Sequence, residues 1–91
     1  MRAPNYVHLN ANGTTDIRGP LPLGVVTVNT KGLAGNTLTV AQLFPDDTTD
    51  TIAVIDTTVG IGGLDYGQLL IAGLRLTLAT GTAADVTISW G

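Results

Sequence analysis

Hydrophobic and polar residues alternate with a period of two along much of this chain. In the C-terminal third, Leu74, Leu76 and Leu78 interleave with Arg75 and Thr77, and Val86, Ile88 and Trp90 interleave with Asp85, Thr87 and Ser89. Successive side chains of a strand point to opposite faces, so each run predicts a half-buried β-strand. Thr80-Gly81-Thr82-Ala83-Ala84 between them has a common hairpin length, which predicts that the two strands pair. The same reading places strands over Leu23 to Asn29, Thr37 to Leu43 and Thr51 to Asp56, with turns at Lys31 to Asn36 and at Pro45-Asp46-Asp47. At the N-terminus, Tyr6 to Asn10 and Thr14 to Arg18 flank Ala11-Asn12-Gly13. Asn and Gly both tolerate positive φ, so this segment predicts a small hairpin. The prolines of Gly19-Pro20-Leu21-Pro22-Leu23-Gly24 hold the chain extended and remove ladder donors, as in a linker or a sheet edge. Thr57 to Gly67 is rich in glycine and reads as a crossing between sheets. The predicted fold is all-β: a small antiparallel β-sandwich or jelly-roll-like domain over residues 23–91, preceded by a hairpin and proline-containing arm over residues 1–22.

Composition agrees with that class and narrows the partners. Ninety-one residues allow one core, with a folded surface of roughly 5,000 Å² and about 63 % of the extended chain's surface buried. Fifteen Thr, eight Val and six Ile favour pleated strands over helices, because branching at Cβ restricts the side chain against a helical turn. Only 12 % of residues are charged, where about 25 % is usual, so something other than charge keeps the surface from associating at random. A net charge of −3, with Arg2, Arg18, Lys31 and Arg75 scattered, leaves no basic stripe for a phosphate backbone and argues against nucleic acid. The most apolar stretch, Leu69 to Ala79, falls well short of the ~20 residues that span a bilayer and is broken by Gly73 and Arg75, so no membrane partner is expected. Met1 to Asn5 is not followed by the apolar run of a secretory signal.

The catalytic inventory is nearly empty. There is one His (His8), one Ser (Ser89), one Lys, no Glu and no Cys, so most acid–base and nucleophilic mechanisms cannot be assembled and thiolate zinc sites are excluded. His8 lies on the polar face of its predicted strand with no orienting partner near it in sequence, and it reads as an exposed or interface histidine. Gly60-Ile61-Gly62-Gly63 fails the dinucleotide fingerprint because Asp65 occupies its last glycine position. Asp46-Asp47-Thr48-Thr49-Asp50 lacks the spacing of a calcium loop and reads as a solvated turn. Asn12-Gly13-Thr14 fits a glycosylation sequon, but the turn accounts for it. Trp90 continues an apolar face and belongs to the core or to a subunit contact. No catalytic, cofactor or metal residue is predicted.

The strands Thr37-Leu38-Thr39-Val40 and Thr51-Ile52-Ala53-Val54-Ile55-Asp56-Thr57-Thr58, followed by Leu64-Asp65-Tyr66, Gly73-Leu74 and Thr80 to Trp90, form a pattern of strands and turns over residues 24–91. In this the chain resembles small virion structural proteins of tailed bacteriophages. The resemblance implies a cysteine-free β-sandwich, made in the host cytoplasm, that decorates or cements the outer surface of a capsid. Its implied partners are the major capsid protein and itself, as a homotrimer. Such a protein stabilises the lattice by binding only its assembled form. The arm is the expected contact with capsid or neighbour, through Arg2, Tyr6, His8, Arg18, Leu21 and Leu23, since Arg and Tyr are enriched in interface hot spots. Two alternatives share the composition. One is another virion component, such as a head–tail joint, fibre base or tail protein. The other is a carbohydrate-binding module built on Trp90, Tyr66 and the acidic turn.

Overall fold

The two longest strands set the architecture. A computed structural model describes residues 5–59 and 62–91. It contains β1 (Tyr6–Leu9), β2 (Gly13–Thr30), β3 (Thr37–Leu43), β4 (Thr49–Asp56), a 3₁₀ turn (Thr57–Val59), β5 (Leu64–Ala79) and β6 (Asp85–Trp90). Every pairing is antiparallel, and the six strands are hydrogen-bonded in the order β1-β6-β2-β5-β3-β4. Eighteen residues of straight strand would reach roughly 60 Å. The molecule measures only 33 × 32 × 19 Å, so β2 and its partner β5 must bend back within it. The single curved sheet thus surrounds one core, and the all-β antiparallel expectation holds.

Two irregularities make the bend. Between Arg18 and Leu21, β2 carries one residue more than β5, with Gly19 at φ 98°. Between Asp65 and Leu69, β5 carries two residues more than β2, and Gly67 and Gln68 both adopt left-handed backbone at φ 63° and 61°. Extra residues of this kind bend a strand and increase its twist. Pro20 is tolerated because the other edge of β2 is free there: β6 joins that edge from Leu23 onward, and the Gly91 amide donates to the Pro22 carbonyl.

Local signals and tertiary burial part company at both ends of the chain. The expected N-terminal hairpin does not form, because β1 pairs with β6 (Val7 opposite Ile88, Leu9 opposite Val86) while the first half of β2 pairs with β5 (Ile17 opposite Leu74). Each partner so chosen is a fully buried aliphatic residue, which a two-stranded hairpin could not offer. The Asn12-Gly13 turn survives as a corner. Its Asn12 amide donates to the Gly81 carbonyl at 2.9 Å instead of closing a hairpin. The expected pairing of the last two strands is likewise replaced. Thr80 and Gly81, at φ 72° and 60°, carry the chain away from β5, and β6 inserts between β1 and β2. The expected boundary between residues 22 and 23 falls inside β2, with Leu21 and Leu23 both in the core.

The core is aliphatic. Leu23, Leu38, Val40, Leu74, Leu76, Val86 and Ile88 are fully buried, and Trp90 and Tyr66 pack on its margin. The total accessible surface of 4928 Å² is close to the value expected from chain mass. One buried polar knot interrupts this pattern, at Asn36 and Thr57. Asn36 Oδ1 accepts from Thr57 Oγ1 at 2.6 Å and from the Ala84 amide at 3.1 Å, and its Nδ2 donates to Asn12 Oδ1 and to the carbonyls of Ala79 and Thr80. Four connections between strands meet at this one side chain.

Candidate interaction surface

The outer face of β1, β6 and β2 carries a polar row. His8 on β1, Asp85 and Thr87 on β6 and Asn29 on β2 come together because strand alternation turns each of them away from the core. His8 Nε2 donates to Asp85 Oδ1 at 2.5 Å, and Asn29 Nδ2 donates to the same oxygen at 3.0 Å and to Thr87 Oγ1 at 2.9 Å. The bonds from Asn29 and then His8 hold the Asp85 carboxyl below the usual carboxylate range. Asp85 is the partner that the sequence did not reveal for His8, since 77 residues separate them. The dyad does not extend into a nucleophilic triad: the Ser89 hydroxyl is turned to the backbone of Val25. Chemically the row is a clasp across three strands. Among the described residues, no group of three His, Cys, Asp or Glu residues converges to hold a metal ion. No helix among them is long and apolar enough to cross a membrane.

The bend of β2 and β5 presents a different surface. The end of β3 and the loop after it close against Gly73, whose α-carbon lies so near the Leu43 carbonyl that an added Cβ would sit 2.7 Å from it. Beside this contact lies an open recess of about 350 Å³, lined by Pro20, Leu43, Phe44, Pro45 and Ala72 with Arg18 and Gly19 at its margin. Arg18 Nη2 donates to Asp47 Oδ1 across the rim, and both side chains remain more than half exposed. Next to the recess on β5, Leu70 is 72 % exposed and Leu69 45 %. A second ion pair lies further along the same strands. Arg75 donates from Nε and Nη2 to the two carboxylate oxygens of Asp16 at 2.8 and 2.9 Å. That paired bond lowers the Asp16 pKa and raises that of Arg75.

The sequence-predicted contact residues divide between these places. Tyr6 and His8 are exposed on β1, and Arg18 guards the recess. Leu21 and Leu23, at 4 % and 0 % exposure, are core residues and cannot touch a partner. Arg2 lies outside the described residues. The residues proposed for a carbohydrate site also have other engagements. Trp90 and Tyr66 pack on the core, and Asp46 closes its own turn by accepting from the Thr48 amide and hydroxyl. Leu69 and Leu70 were missed, because they sit in the most apolar stretch of the sequence, where nothing local tells the outward Leu70 from the buried Ile71 beside it.

No protein-family profile and no curated protein matches this sequence. Among solved structures the chain is similar to the Drosophila NLP-core, over 99 % of this chain and 97 % of that one, with 16 % identity and a TM-score of 0.60. The crystal structure of that protein bears on its pentamer formation and its histone binding. At this identity the likeness is one of fold alone.

Proposed function

We propose that this chain is a non-enzymatic virion protein that decorates the outside of a capsid, binding the major capsid protein lattice as a homo-oligomer and stabilising it. The observation that carries the reading is the exposed apolar bend, Leu69 and Leu70 beside the Pro20–Phe44 recess, on a protein with few charges. Exposed aliphatic side chains beside an apolar recess mark a site of association more often than single exposed ones do. The pentamer of the structural neighbour supports self-association on this fold, and the resemblance to phage virion proteins supports the capsid as partner and a trimer as the unit. Recognition of a basic protein, by analogy with histone binding in that neighbour, has less support. Three of the seven Asp, Asp16, Asp47 and Asp85, are already engaged by Arg75, Arg18 and His8, which reduces the acidic surface open to such a partner. The test is cosedimentation with expanded, undecorated phage heads. Saturable binding at micromolar concentration, together with a higher head melting temperature, is the expected result. Absence of both would refute the capsid role.

A further inference from the structure

The bend of β2 and β5 carries a projection and a recess of matching chemistry. The projection is built by the insertion in β5. Asp65 Oδ1 accepts from the Gly67 amide at 2.7 Å, and Gly67 and Gln68 follow in left-handed backbone. A glutamine rarely adopts that conformation, so the surrounding sheet must hold the kink in place. Beyond it, Leu70 lies opposite Pro22 and next to the buried Ile71, so strand alternation turns it outward, and it stands 72 % exposed. The recess begins at Ala72, two residues further along β5 and so about 7 Å away. Its volume of about 350 Å³ compares with roughly 150 Å³ left by excising one large aliphatic side chain from a core, so it accommodates one or two leucines. Charge matches as well. Arg18 at the recess uses one nitrogen on Asp47 and is 57 % exposed, and Asp65 on the projection is an exposed carboxylate with only its Oδ1 engaged.

We propose that these are the two halves of one self-contact: Leu70 seats in the recess of a second copy, and Asp65 faces the partner's Arg18. Two neighbours cannot occupy sites about 7 Å apart on a molecule 33 Å across, so one copy must fill both. The contact is then reciprocal and two-fold, since each copy gives a projection and receives one. This deepens the self-association in the reading above, makes a dimer its unit in place of a trimer, and does not depend on the capsid.

Light scattering on purified full chain up to about 100 µM tests it. The wild type is expected at about 19 kDa, twice the 9.3 kDa chain mass. Leu70→Asn removes the projection at an exposed position, and Ala72→Phe fills the recess; each is expected at about 9 kDa with an unchanged β circular-dichroism spectrum. An equal mixture of the two recovers part of the dimer, because the leucine of the second variant meets the open recess of the first. Asp65→Asn keeps the turn and removes the charge, weakening the dimer roughly two- to fivefold. A monomeric wild type, a trimer of about 28 kDa, or a dimer that survives Leu70→Asn would overturn the proposal. Cosedimentation of the Leu70→Asn variant with phage heads runs alongside. Binding there with loss of the dimer upholds the self-contact and the capsid contact, and removes the homo-oligomer from the capsid reading. A wild-type dimer that ignores the heads upholds the contact and defeats only the capsid reading.

Discussion

At the residue scale, the side chain that most constrains this fold is polar. Asn36 follows a run of turn-forming residues, and nothing in its local sequence distinguishes it from a solvent-facing turn residue. In the folded chain it is fully buried and satisfied on both sides, its oxygen by Thr57 and Ala84 and its nitrogen by Asn12, Ala79 and Thr80. A buried amide of this kind holds loops that carry no apolar contact of their own, and its removal strands several donors and acceptors at once. Asn36→Ala is expected to cost about 3–5 kcal/mol in urea unfolding, against under about 1 kcal/mol for Asn29→Ala on the surface. Thr57→Val, nearly the same shape without the donor, is expected to cost about 1–3 kcal/mol. A loss for Asn36→Ala no larger than that for Asn29→Ala would show that water replaces the knot.

At the scale of elements, the short edge strand β1 depends on its clasp. Its four residues put only Val7 and Leu9 toward the core, so the bonds among His8, Asp85 and Asn29 do much to fix it against β6. The sequence could not show this, because the period-two pattern identifies a strand without naming its neighbour. The local Asn-Gly signal pointed to the wrong one. Acid tests the clasp. Asp85 has its folded pKa lowered by Asn29 and His8, and Asp16 has its own lowered by Arg75. A carboxyl whose pKa falls on folding adds stability above its unfolded value, about pH 4, and loses it as pH drops through the lower folded value. Melting temperature is therefore expected to stay level from about pH 5 to 8 and to fall below about pH 4. The effect is modest because both carboxylates are partly exposed. Asp85→Asn should reduce the fall. Melts of that variant that parallel the wild type at every pH would remove Asp85 from the account.

For the whole molecule, the alternation in the sequence was enough for the fold class but not for the topology. Leu74, Leu76, Leu78, Val86 and Ile88 were legible as core because alternation is local. That β5 lies beside β2 and β3, and β6 beside β1 and β2, was not, because burial across the whole chain decides it. The exposed leucines escaped for the same reason, since only the pairing with β2 shows which face each residue of the apolar run takes. This topology also bears on folding. Only β3 and β4 pair as chain neighbours, while β1 meets β6 and β2 meets β5 across most of the sequence. Distant pairings must overcome loop-closure entropy before burial rewards them, so refolding is expected on the millisecond-to-second scale. Trp90, the only tryptophan, is half-buried on the last strand to be made and reports the event by stopped-flow fluorescence. If the β3–β4 hairpin forms first against β5, Val40→Ala in β3 slows refolding. Val86→Ala in β6, which docks last, mainly accelerates unfolding. Both residues are fully buried, so each truncation removes on the order of 2 kcal/mol, enough to divide reliably between the two rates. The opposite division, with Val86→Ala slowing refolding, would place the nucleus in the β1-β6-β2 part of the sheet and make the clasp an early contact.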